Sequence, residues 1–204
     1  HSMPLLFLIL AEELETEAFW CFSPSHSFIK FQDKQNRWYN IELTQGAVVT
    51  DNFYMNSGFI KSKAIQTGIY LNPRTMKQTI AHMLNDLSAY YISRYGYDHF
   101  IEENSNLVLR YSPSDLTAYQ HYANICTVQA QYVIDACGRP PKEQLPEYPQ
   151  AHRLFKKMLQ SYEKIDSLGY EEMPAEIYHN WLKQVDKAKT LPENQPSPII
   201  QIKK

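Results

Sequence analysis

Three polar side chains near the start of the chain, His26, Asn40 and Glu42, are of the types and at the spacing needed to move a proton at a reaction centre. Imidazole titrates nearest neutral pH, and it works as a base when a carboxylate or amide fixes its tautomer. His26 follows the turn Ser23-Pro24-Ser25 and opens an alternating apolar segment, so His26, Phe28 and Lys30 share one face of a strand. Trp38, Asn40 and Glu42 share a face of the next segment. A three-residue loop at Asp33 to Gln35 sets His26 directly across from Glu42, with Asn40 as the diagonal neighbour. This is the base-and-orienter half of a nucleophilic triad, with either Glu42 or Asn40 holding the imidazole. The group it would serve is a thiolate, which is favoured at a helix N-terminus by free N–H groups and the dipole. The helix in the right place is the one opening near Met3.

The elements that must carry these residues follow from periodicity. Met3 to Leu14 is apolar on nearly every side, which predicts a helix buried in a domain, with Pro4 in its first turn. Ala18 to Phe22, Ser27 to Phe31 and Trp38 to Leu43 are rich in aromatic and β-branched residues at a period of two, which predicts three antiparallel strands. The chain reads as loop from Gly46 through Gly58 and Gly68, and Asn72-Pro73 marks a break. Helices are expected over 75–95, 98–111, 114–137, 148–168 and 174–189, and an extended tail from Leu191. The fold class is therefore α+β, with a core of a buried helix and antiparallel strands over 1–72, a helical domain over 73–190 and a tail over 191–204.

Two resemblances add to this reading. Gly96, Pro113, Ala118-Tyr119 and Tyr122-Ala123 resemble a tetratricopeptide repeat passing from its turn glycine to the proline before the next repeat. The order of a buried helix, a strand, a strand opened by His26 and a strand carrying an acid resembles the transglutaminase-like, papain-type cysteine hydrolase superfamily. Trp38-Tyr39-Asn40-Ile41-Glu42-Leu43-Thr44 is similar to the segment of Trp, acid and Thr that closes that family's core, although an aspartate is usual where Glu42 stands.

His1-Ser2-Met3-Pro4 is similar to the sequence directly after the nucleophilic cysteine in bacterial members carrying helical repeats. The resemblance implies a partial core, with His26 as base, Glu42 or Asn40 as third member and a cysteine directly before His1. Without that cysteine the chain is expected to be inactive. The alternative is that His1-Ser2 is an appended pair ahead of a start at Met3. The implied activity is hydrolysis or acyl transfer at amide bonds of peptides or proteins, with no cofactor. The rival reading is a non-catalytic module that binds a peptide or protein through the same fold and its tyrosine-rich helices.

Composition narrows the classes. With 20 Lys+Arg against 22 Asp+Glu and a net charge of −2, the chain has no basic field for phosphates, so nucleic acid is not an expected partner. Leu5 to Ala11 is far too short to span a bilayer and runs into Glu12-Glu13, without the flanks of a signal peptide. Cys21, Cys126 and Cys137 are odd in number and show no paired spacing, which fits a reducing compartment such as the cytoplasm. Cys21, among aromatics in mid-strand, reads as a small buried hydrophobe. His82, His99, His121, His152 and His179 fall on separate helices without ligand spacing, so no metal is expected.

Overall fold

The computed structural model describes residues 2–176 and 179 of the chain. It forms two compact units: one runs to Arg74 and takes in the described residues from Glu171, and the other is Thr75–Tyr170. The architecture is α+β, with the sheet in the first unit and a run of helices in the second.

The first unit opens with α1 (Ser2–Glu13) and continues into a four-stranded antiparallel sheet in sequence order, β1 (Ala18–Ser23), β2 (His26–Gln32), β3 (Trp38–Glu42) and β4 (Ala47–Val49). The β1–β2 turn has Pro24 at its first central position and Ser25 at a left-handed φ of 55° at the second, the pattern of a tight hairpin that pairs Ser23 with His26. One face of the sheet carries Trp20, Ile29 and Ile41, and Leu8 of α1 packs there with Leu5 and Phe7.

Three expectations are corrected here. Helix α1 is not buried all round: Leu6 and Ile9 are each 59% exposed, and only Pro4, Leu8 and Ala11 are buried. Among the described residues the sheet is the layer it packs on, and one layer covers one stripe of a helix. The β2–β3 register is also displaced, because the loop is longer than three residues. The Asp33 carboxylate accepts from the N–H groups of Gln35 and Arg37, and Asn36 takes a φ of 60°, so the loop closes only when Asp33 N–H meets the Arg37 carbonyl. Ile29 therefore pairs with Ile41 and Lys30 with Asn40, and the same register sets Phe28, not His26, opposite Glu42. Third, the stretch expected to be loop holds β4, α2 (Asp51–Gly58) and α3 (Ser62–Gln66). All three are short, and α2 is rich in Asn, Ser and Gly, residues that signal turns more strongly than helix.

In the second unit α4 (Met76–Tyr95), α5 (His99–Tyr111), α6 (Leu116–Ala136) and α7 (Pro149–Ser167) follow the expected helices within a residue or two, and each packs on the next. Their starts are set by side chains: Thr75 and Gln78 form a capping box, Asp98 accepts from Phe100 N–H, and Asp115 accepts from Ala118 N–H. A 3-10 turn over Lys142–Glu147 occupies the proline-rich connection before α7. The helix expected over 174–189 lies largely, and the tail from Leu191 entirely, outside the described residues. Among the described residues no helix is long and apolar enough to cross a membrane.

Candidate functional site

Shifting a strand by two residues leaves every side chain on its original face, so the altered register still puts His26 and Glu42 together, now as diagonal neighbours. His26 Nε2 lies 2.6 Å from Glu42 Oε2. The other carboxylate oxygen, Oε1, accepts from Thr44 N–H at 3.0 Å and from the Thr44 hydroxyl, and the Tyr54 hydroxyl donates to Oε2 at 3.0 Å. Glu42 thus receives four hydrogen bonds, which saturates a carboxylate and leaves no place for a proton of its own. Burial works to raise its pKa, but the His26 and Thr44 hydrogen bonds outweigh this and bring it down to about 2. An ionised carboxylate can only accept, so the neutral imidazole must carry its proton on Nε2. The lone pair is then on Nδ1, which has no partner among the described residues.

Exposure divides the pair in the way a reaction would need. The Glu42 side chain is 3% exposed and that of His26 36%, so the orienter is dry while the ring remains open to a reacting group. Tyr54 closes the site from α2, with its ring stacked on Phe28 at 3.9 Å between centroids and beside His26 at 6.1 Å.

Asn40 does not reach His26. It lies across from Lys30, and its amide donates to Asp51 Oδ1 at 2.7 Å; Lys30 Nζ reaches the same carboxylate and the Leu71 carbonyl at 3.0 Å. Of the two residues left open by the sequence, Glu42 is therefore the one that meets His26, and Asn40 belongs to a separate anchor for the N-terminus of α2.

No family model, curated protein or solved structure matches this chain. Cys21 shares the His26 face but is wholly buried, and burial pushes its thiol up to about 12 against the opposing charges of Lys30 and Arg74. A thiol so protonated is neither nucleophile nor ligand. Among the described residues no cluster of three or more His, Cys, Asp or Glu could hold a metal ion.

Helix α1 runs back along β1 after the short Leu14–Glu17 connection, and Leu8, near its middle, packs on Trp20 and Ile29, near the middles of β1 and β2. Helix α1 therefore lies on the Trp20–Ile29 face, opposite the face that carries His26 and Glu42. A half-buried strand pattern does not say which face a helix chooses when both faces are apolar.

Sequence reasoning missed Tyr54 and Asp51, which sit in a segment with no helical period. It also missed a buried polar node in the second unit. Asp115, fully buried, is 2.7 Å from His82 Nδ1 and accepts from Asn85 Nδ2 at 3.0 Å while capping α6. That node ties α4 to the start of α6.

Proposed function

We propose that the first unit is part of a transglutaminase-like cysteine hydrolase or acyltransferase core acting on amide bonds of peptides or proteins. The observation that carries this reading is the His26–Glu42 pair at 2.6 Å, with an ionised, saturated carboxylate behind an accessible imidazole. In the reaction, a thiolate attacks the amide carbonyl, His26 protonates the departing amine, and His26 then takes a proton from the water or amine that releases the acyl group. Glu42 holds the ring throughout and stabilises the imidazolium form. No cofactor enters these steps. The thiolate belongs directly before His1, at the N-terminus of α1, as the resemblance implies. The second unit, with helices that pack in sequence, is read as a tetratricopeptide-like array for holding the peptide or protein.

A second reading, a non-catalytic binding module, is favoured by one observation: α1 packs on the Trp20–Ile29 face while His26 and Glu42 lie on the other. A thiol on α1 must then reach around the sheet end.

Extending the chain by a cysteine directly before His1 separates the two. Near pH 6 an ordinary thiol is under about 1% thiolate, so an imidazolium-paired thiol should alkylate with iodoacetamide roughly 30- to 100-fold faster. His26→Ala should return it to the ordinary rate, and Cys21 should label slowest of all in both proteins. Equal rates for the new thiol with and without His26 would sink the hydrolase reading and leave the binding module.

A further inference from the structure

We propose that Tyr54 is a positioning residue for the His26–Glu42 pair, and that α2 is the clamp that delivers it. The inference deepens the hydrolase reading and rests on it for its purpose, though not for its geometry.

Tyr54 makes three contacts that converge on the pair. Its hydroxyl donates to Glu42 Oε2 at 3.0 Å, the same oxygen that His26 Nε2 approaches at 2.6 Å. Its ring lies on Phe28 at an interplanar angle of 15° and beside the His26 ring at 28°. The residue is 2% exposed, so this wall keeps water from the Oε2 side of the pair. With Oε2 held by a second donor and Oε1 by Thr44, the carboxylate cannot rotate to present another oxygen or move to Nδ1. The Nε2–H tautomer is thereby selected, and Nδ1 is kept as the atom with the free lone pair.

The clamp is anchored independently of this contact. Asp51, three residues before Tyr54 and so on the same side of the helix, takes Lys30 Nζ at 3.0 Å and the Asn40 amide at 2.7 Å. Lys30 is itself buried and is held by the Leu71 carbonyl. Its neighbours thus tie the first turn of α2 to β2 and β3, so Tyr54 has one place to put its ring. Burial and the adjacent Glu42 charge push the Tyr54 hydroxyl above the usual tyrosine range, which keeps it a donor at any pH the protein meets.

Histidine-selective long-range ¹⁵N–¹H spectra and the Glu42 carboxyl ¹³C titration test this directly in the unextended chain and in Tyr54→Phe, which keeps the ring and removes the hydroxyl. The parent protein should show His26 as the Nε2–H tautomer. In Tyr54→Phe the Nδ1–H form should rise several-fold and the Glu42 midpoint should move up by about one unit, as expected for the loss of one donor to the charged form. A purely structural tyrosine would lower stability and move neither. Identical tautomer ratios and Glu42 midpoints in the two proteins overturn the proposal. If Tyr54→Phe does not fold, the Tyr54 ¹³Cζ titration in the parent decides instead: ionisation at the ordinary tyrosine midpoint, about pH 10, overturns it, and absence of ionisation there supports it. Shifts in Tyr54→Phe combined with no fast-labelling thiol in the extended chain support the clamp and remove only the hydrolase reading.

Discussion

Asp115→Ala should destabilise the helical unit by about 3–5 kcal/mol, the range for breaking a buried, hydrogen-bonded charged network by removing one partner. Asp115 is fully buried and does three jobs at once: it caps α6 at Ala118 N–H, takes His82 Nδ1 at 2.7 Å and takes Asn85 Nδ2 at 3.0 Å. Loss of the cap alone costs about 1 kcal/mol. His82 and Asn85, both buried, each lose the charged partner they share, which adds about 1–2 kcal/mol for each. Urea unfolding followed by far-UV circular dichroism reads the effect as a fall in midpoint at similar slope. Asp135→Ala is the control. Asp135 pairs with Arg139 on an exposed face of α6 and its connection, where an ion pair contributes about 0–1 kcal/mol. A loss at Asp115 no larger than at Asp135 would mean that the node does not hold α4 to α6.

The second large effect is an acid transition in the first unit that disappears with Glu42. The Glu42 carboxyl is lowered from 4.5 to about 2 in the folded protein, so between those values the unfolded chain binds the proton and the folded chain does not. Stability from this group is complete above pH 5, declines as pH falls through 4.5 toward 2, and is gone below 2. At about 1.4 kcal/mol per pKa unit, the fall from 4.5 to about 2 amounts to about 3.5 kcal/mol. Unfolding measured at pH 7, 4 and 2.5 should therefore show a loss in the parent protein that is absent, or at least halved, in Glu42→Gln. Parallel pH curves for the two proteins would show that the hydrogen bonds to Glu42 contribute no net stabilisation.

Much of the helical unit was legible because local signals agree with the final structure. Thr75 with Gln78, Asp98 and Asp115 each stand where a helix starts, and Gly96, with a φ of 78°, stands where one ends. The Asp115 node was not legible, since His82 and Asp115 lie 33 residues apart and meet only when α4 and α6 pack. The opposite happened between residues 47 and 71, where a three-residue strand and two short helices left no period long enough to read. Helix α1 was legible as a helix but not in its burial, because composition describes the segment and only the layers around it decide which side is covered.

The site shows the same division within a few residues. The sequence by itself determined that His26 and Glu42 share a face, because side chains alternate along a strand and any even change of register preserves that alternation. What the tertiary structure decided was which candidate holds the imidazole. The Asp33 loop moved the register by two residues, and α2 folded onto the sheet with Asp51 against Asn40 and Tyr54 against Glu42. The amide of Asn40 was thereby engaged elsewhere and the carboxylate of Glu42 was left for His26, a choice that depends on a helix whose own residues carry no periodic signal.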